Sequence, residues 1–341
     1  MGVVKSDAYG HGLVPVSQVL EKNKIDCLGV ANLSEALEIK KNGIRVPVVI
    51  LCGVHTREEI RIVAQHNLIP VLSDLNVADL LSQEGAQQGR KIKVQLKVDT
   101  GMGRLGISYK DIAPCLQKIM GLKNLELEAL TSHLSSADEQ GHDFTETQIR
   151  RFKKAIETGH SLGLDLPLNN LANSAGVMGY KETHFEMVRP GISLYGGLPS
   201  AGFKSPIPLK PVMHFKGRVL QIRDLPDNTP VSYGRTYYTR GLRQLAVLSA
   251  GYGDGLPRSM SNTGKALVRG QRVPIVGTIC MNLSICDITG LSNIEPGEPV
   301  VFLGRQDNEV ITGDDLARWA GTISYEVFCS IGQRNRKEYL Q

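Results

Sequence analysis

The sequence predicts an α/β protein, with an N-terminal (β/α)8 TIM barrel over residues 1–205 and a mostly-β domain over residues 206–341. Three observations carry that expectation. Strand-like and helix-like segments alternate through the first part of the chain, which implies a parallel sheet with crossover helices. Eight such strand-like runs can be placed, the number that closes a barrel. The texture then changes at Phe203-Lys204-Ser205-Pro206-Ile207-Pro208, beyond which short β-like runs are separated by turns. A chain of 341 residues also exceeds what one core usually supports, so a large and a smaller domain are expected.

The first run, residues 2–5, is β-branched and ends on a lysine. Further strands are expected over 27–31, 46–51, 69–72, 92–98, 125–131, 167–171 and 185–188. Helical patterns lie between most of them. Asn32-x-x-Glu35, Thr56-x-x-Glu59 and Thr145-x-x-Gln148 each read as a capping box, in which two side chains satisfy amides of the first turn. Gly43 and Gly163 stand where a helix needs its C′ residue. In the second domain, strands are expected over 216–222, 244–249, 265–269, 273–276, 283–287 and 299–302. Only 314–320 reads as a helix there. No internal repeat or low-complexity tract interrupts the chain.

Composition excludes several classes. Hydrophobic residues make up 41% and charged residues 21%, as in a folded soluble protein. The longest apolar stretch, starting at Pro47, is too short to span a membrane. Lys5 and Asp7 interrupt any secretory h-region. The net charge of +5 is dispersed, with one dense basic cluster at Arg334–Lys337, which suits small anionic ligands and argues weakly for nucleic acid. Six scattered cysteines without a C-x-x-C pair disfavour zinc and disulfide frameworks, and the expected compartment is the cytosol.

In a parallel barrel, catalytic groups come from the C-terminal ends of the strands. Lys5 stands at the first such end and opens into Ser6-Asp7-Ala8-Tyr9-Gly10-His11-Gly12. A lysine there is either an ordinary strand-end cation or a desolvated amine kept for Schiff-base chemistry. Asp99-Thr100-Gly101-Met102-Gly103-Arg104 follows the fifth strand, His133 the sixth, Asn173-Ser174 the seventh and Arg189-Pro190-Gly191-Ile192 the eighth. Alone, His133 reads as a hydrogen-bonded structural histidine and Arg189 as a paired arginine; their joint placement points to a site.

Gly101-x-Gly103-x-x-Gly106 matches a dinucleotide fingerprint, but Ile-Ser-Tyr-Lys-Asp follows it where a helix should open at once. The eighth-strand segment suits phosphate better. Pro190 and Gly191 permit a tight turn whose Gly191 and Ile192 amides can face an anion, and Ser174 can add a hydroxyl. An ordinary strand-end turn is the alternative. In the second domain Tyr233, Tyr252, Met281 and Tyr325 lie in or beside turns, where tyrosines are ordinarily surface or interface residues.

Taken together and in this order, the lysine, Asp99–Arg104, His133, Arg189–Ile192 and tyrosine motifs resemble the alanine racemases over nearly the whole chain. The resemblance implies a pyridoxal 5′-phosphate (PLP) barrel with a C-terminal β domain, working as a homodimer in which the partner's β domain completes each site. Lys5 would hold the cofactor and act as one acid–base group, with Tyr233 of the other subunit opposite. Arg189 would face the pyridine nitrogen and His133 would lie against the ring. Tyr9, Ser174, Gly191, Ile192 and Tyr325 would bind the phosphate, and Asn173 counts with the cofactor-binding residues. Arg104 and the Met281 backbone would hold the substrate carboxylate. Lys97 matches a position carbamylated in many members, and Asp138, Tyr252 and Arg258 would line the entry route.

The implied activity is interconversion of L- and D-alanine by two bases, supplying D-alanine for peptidoglycan in the cytoplasm. Alternatives are a serine or broad-specificity racemase, or a non-catalytic PLP-binding protein. No metal, membrane or nucleic acid is expected. Three departures from the family pattern stand out. Members carry a further segment ahead of the lysine motif, so the sequence is expected to lack one. Asn282 replaces a usual aspartate, and Arg334-Asn-Arg-Lys-Glu-Tyr339 lacks a usual proline.

Overall fold

The computed structural model describes residues 1–139 and 143–340. The chain divides into two compact units: Met1–Ala8, Gly12–Leu194 and Gly202–Pro208 form one, and Tyr9–His11, Tyr195–Ala201 and Leu209–Gln341 the other.

In the first unit β1 (Gly2–Val3), β2 (Leu28–Val30), β3 (Val48–Ile50), β4 (Ile69–Leu72) and β5 (Ile92–Asp99) pair in parallel, each with the next. β6 (Ile107–Ser108) is a short stub on β5, and β7 (Leu125–Thr131) is the sixth barrel stave. Leu28, Val30, Val48, Val49, Ile50, Val94, Leu96 and Val98 are fully buried, because helices cover strands whose inner faces are also filled.

The expected seventh and eighth strands shrink to single parallel bridges, Thr131 with Asn170 and Asn170 with Met187. The reason lies in two asparagines. Asn169 Oδ1 accepts the Leu130 amide at 2.9 Å, and Asn170 accepts Thr131 Oγ1 at 2.6 Å while donating to the Leu168 carbonyl at 2.8 Å. Side-chain amides thus replace ladder bonds that a longer strand would have used. The barrel still closes: Val3 N donates to Pro190 O at 3.0 Å and the Met1 amine to Val188 O at 2.9 Å.

A single turn, α1 (Lys5–Tyr9), follows β1 and winds left-handed. The crossovers are α2 (Leu13–Lys22), α3 (Leu33–Lys41), α4 (Arg57–His66), α5 (Leu75–Gln87), α6 (Ile112–Met120), α7 (Asp143–Ser161) and α8 (Ser174–Gly179). Of the three expected capping boxes only Thr56 with Glu59 is complete. Asn32 caps α3, but the Glu35 carboxylate reaches past it to the Ala31 and Ser6 amides. Thr145 and Gln148 lie inside α7 and are fully buried, so no cap forms there.

The second unit is antiparallel. β8 (Phe215–Leu225), the hairpin β9 (Pro230–Val231) and β10 (Tyr237–Tyr238), β11 (Arg243–Leu248), β12 (Lys265–Val268), β13 (Gln271–Pro274), β14 (Ser284–Asp287), β15 (Pro299–Gln306) and β16 (Glu309–Ile311) follow in turn. The main sheet runs β13-β12-β15-β8-β11-β14, with β16 on β15. α9 (Gly313–Ala320) is closed by a capping box of Thr312 and Asp315. α10 (Ser324–Arg334) corrects the expectation of one helix. Its β-branched and aromatic sequence has no side-chain cap, and burial of Val327, Phe328 and Ile331 on one face overrides that propensity. Gly10 is required against this helix, since a Cβ there would come within 2.3 Å of the Phe328 carbonyl oxygen.

Candidate active site

Lys5 leaves β1 through backbone that few residues tolerate. Ser6, Asp7, Ala8 and Tyr9 all have φ between 51° and 56°. Left-handed geometry costs roughly 1–2 kcal/mol per non-glycine residue, so the turn must be anchored. Ala8 N bonds Val4 O at 2.8 Å and Gly12 N bonds Asp7 O at 2.9 Å. The Asp7 carboxylate accepts Leu13 N at 2.7 Å, and Glu35 accepts Ser6 N at 2.5 Å. Glycines at 10 and 12, with φ of 81° and 100°, let the chain leave the turn.

The side chain that this turn presents is half-buried. Removal from water lowers the Lys5 amine below its ordinary pKa, Arg104 and Arg189 push the same way, and Cys52 and Glu35 oppose them. Lys97, on β5, is held well below its ordinary value, first by burial and then by Arg189 and Arg104. His133, after β7, is likewise held well below its usual value by burial and by Arg189, Lys97, Arg104 and Lys5. The structure therefore brings Lys5, Lys97, Arg104, His133 and Arg189 into one electropositive cluster at the C-terminal end of the barrel. Excess cations in a partly dry site favour an anionic ligand and neutral amines.

Arg189 is 5% exposed and sits in a cage of acceptors. Its Nη2 donates to the Ser132 carbonyl and, at 3.1 Å, to the Leu171 carbonyl. Nη1 lies 3.3 Å from His133 Nδ1. A guanidinium has only donors, so Nδ1 is the acceptor and any proton on a neutral ring sits on Nε2.

Gln148 is a functional position that the sequence reading took for a cap. Its Nε2 donates to His133 O at 3.0 Å and Thr100 Oγ1 at 3.2 Å, while Oε1 accepts Ser135 N at 2.9 Å. Thr100 in turn meets Ser132 Oγ at 2.8 Å, and Ser132 Oγ donates to Val98 O at 2.7 Å. This buried brace joins the loops after β5 and β7 and so holds Ser132 and His133, two of the three partners of Arg189. A legible signal existed, since Gln148 lies on the same helical stripe as Thr145, Ile149, Phe152 and Ala155, where a polar residue is out of place.

Asn173 caps α8 through Gly176 N at 3.0 Å. Ser174 Oγ accepts Gly191 N at 2.9 Å and Ser193 N at 3.3 Å, with Ser193 Oγ at 3.1 Å. Ile192, fully buried, begins a one-turn helix. Hydroxyls and amides thus converge after the eighth barrel position. Gly106 leads into β6 and the next helix opens only at Ile112, which fits no dinucleotide loop. Arg104 is exposed on the loop between β5 and β6, and Asp138 is half-buried in the turn beyond His133.

The remaining candidates belong to the second unit. The Tyr9 ring lies tilted against those of Tyr195 and Tyr325, with ring centroids 4.9 and 5.9 Å away. Tyr233 is 71% exposed on a turn with positive φ at Ser232, Gly234 and Arg235. Ser232 Oγ donates to Thr278 O at 2.6 Å, and Thr278 Oγ1 to Tyr233 O at 2.8 Å. Met281 O accepts Gly253 N at 2.6 Å, and Tyr252 N donates to Cys280 O at 3.0 Å, so the loops bearing Met281 and Tyr252 are tied together. Asn282 Nδ2 lies 3.3 Å from Asp254, and Arg258 is exposed. Among the described residues no group of His, Cys, Asp or Glu could hold a metal, and no helix is long and apolar enough to cross a membrane.

Residues 1–199 match the family description of the alanine racemase N-terminal domain, and residues 212–339 that of the C-terminal domain. An alanine racemase of Thermodesulfovibrio yellowstonii is 42% identical over 340 residues, covering 100% of this chain and 89% of the relative. An alanine racemase 2 of Caldanaerobacter subterraneus is 38% identical over 341 residues, covering 100% and 88%. The alanine racemase structure from D-cycloserine-producing Streptomyces lavendulae superposes with a TM-score of 0.91 at 32% identity, over 98% of this chain and 88% of that one. The Bartonella henselae alanine racemase with covalently bound pyridoxal phosphate gives 0.88 at 31% identity, over 99% and 92%.

Proposed function

The chain belongs to the alanine racemase family of PLP-dependent isomerases, and from that premise we propose that it interconverts L- and D-alanine at the barrel site around Lys5. The observation that carries the proposal is the half-buried, pKa-lowered Lys5 amine within a cluster of cations at the C-terminal barrel end. When bound, PLP supplies the electron sink that lets an amino acid give up its α-proton. The donor set fits such a group: a neutral-leaning primary amine, a caged guanidinium, a neutral imidazole and a hydroxyl–amide cradle.

Each residue then has a task that its surroundings support. Lys5 holds the cofactor and handles the α-proton on one face. Tyr233, contributed by the partner of a homodimer, handles the other; its exposed ring on a braced turn suits a side chain offered to another subunit. Arg189, permanently charged and fixed by two carbonyls, faces the pyridine nitrogen and leaves it unprotonated, which moderates the sink. His133 lies against the ring. Asn173, Ser174, Gly191, Ile192, Tyr9 and Tyr325 hold the phosphate. Arg104 and the Met281 backbone hold the substrate carboxylate. Lys97, with its lowered amine, reacts with carbon dioxide to form a carbamate and release a proton, turning a repelled cation into a partner for the arginines. Asp138, Tyr252 and Arg258 line the way in. D-Alanine for peptidoglycan, made in the cytoplasm, is the product's use.

Chiral analysis of L-alanine incubated with the purified chain and PLP tests this reading. D-Alanine appears if it is right; a protein that takes up PLP and produces none contradicts it.

A further inference from the structure

We infer that Glu35 is a positioning residue that aims the Lys5 amine by clamping the left-handed turn through which the chain leaves β1. The inference rests on Lys5 being the cofactor-holding lysine. Ser6 follows Lys5 directly, and its residue is exposed, so its amide could otherwise turn to water. Instead Glu35 Oε1 accepts it at 2.5 Å, while Oε2 accepts Ala31 N, at the end of β2, at 2.8 Å. One carboxylate therefore ties the exits of two neighbouring strands, which are already paired through Gly2 with Leu28 and Val3 with Gly29. Both bonds are charge-assisted. Both also need an acceptor, and a carboxylate offers two where an amide offers one.

The helix that carries Glu35 does not need this carboxylate. α3 is capped by Asn32, whose Oδ1 accepts Glu35 N at 3.1 Å and Ser34 Oγ at 2.7 Å. Cap and clamp thus sit on one helix but on different side chains. With four successive residues held at positive φ, the direction in which Lys5 leaves the backbone depends on that clamp.

Covalent capture at Lys5 reads this out without turnover. The neutral Nζ attacks the PLP aldehyde carbon, and the carbonyl oxygen leaves as water with both amine hydrogens. Borohydride with a proton from water then fixes the bond, and mass spectrometry of the Lys5 peptide follows its rate. Glu35→Gln should slow labelling at least tenfold. Asn32→Ala should label at the unaltered rate although its melting temperature falls. Equal rates in Glu35→Gln and the unaltered protein, or equal slowing in both variants, would overturn the clamp. Absence of Lys5 labelling in the unaltered protein would instead overturn the lysine assignment, and the clamp with it. Should Glu35→Gln not fold, deuterium exchange of the unaltered protein decides: the Ser6 amide exchanges slowly if clamped, and fast exchange refutes the inference.

Discussion

The turn that presents Lys5 and the turn that presents Tyr233 use the same strained device and support it differently. Both place non-glycine residues at positive φ: four in succession, Ser6–Tyr9, in one, and the separated Ser232 and Arg235 in the other. The lysine turn is anchored by carboxylates, Asp7 and Glu35, and its side chain is half-buried among cations. The tyrosine turn is anchored by neutral hydroxyls and carbonyls, through Ser232 and Thr278, and its ring is left in the open. The lysine amine is thus pushed toward neutrality by groups of its own unit. A phenol offered outward is merely held in place, and its surroundings are left to whatever meets it.

Substitutions sharpen the contrast, beginning with the largest effect. Lys5→Ala should abolish covalent PLP attachment and lower racemisation by about three orders of magnitude or more; a persisting covalent PLP signal would break the comparison. Tyr233→Phe should leave that signal intact and slow α-proton exchange by roughly 10²–10⁴ on one face only, measured as solvent deuterium entering L- or D-alanine. Symmetric loss in both directions would contradict the division of labour. Thr278→Val removes the bond to Tyr233 O and costs about 1 kcal/mol of stability. It should lower kcat a few-fold with PLP affinity unchanged.

The lysine's surroundings also predict a pH dependence. His133 has a native pKa well below that of the unfolded chain, which takes up its proton near 6.5. Below that pH the unfolded state binds more protons, so stability falls as pH drops. Denaturation midpoints between about pH 7 and 5 should decline, and His133→Asn should flatten the slope. The smallest expected effect lies away from both turns. Glu59→Gln weakens an ordinary capping box and costs roughly 0.5 kcal/mol, with Lys5 labelling unchanged.

Much of the fold was legible because its signals are local. The strand runs of the first six barrel staves, the C′ glycines Gly43 and Gly163, and the capping box at Thr56 depend on neighbours in sequence, and these form. The failures share a cause. Asn169 and Asn170 spend their amides on backbone that extended strands would have used. α10 forms against its propensity because one face is buried. Of the other two capping boxes, Asn32 caps its helix while the Glu35 carboxylate binds the Ala31 and Ser6 amides, and Thr145-x-x-Gln148 lies inside a helix and not at its start. Site residues were read from motif spacing and family likeness, whereas the motif that Glu35 and Gln148 carry, a capping box, points to a helix start and not to the site they brace.

The sequence by itself determined the alternation that makes a parallel barrel, the change to a β-rich second part, and the family to which the chain belongs. Tertiary structure alone decided that the lysine turn winds left-handed, that the Lys5, Lys97 and His133 bases are pushed toward neutrality together, and that the side chains of Glu35 and Gln148 reach out from their helices to hold the loops around them. Periodicity and breaker residues act over a few positions. A hydrogen bond to a residue 29 or 48 positions away exists only once the barrel has closed and burial has removed water as the competing partner.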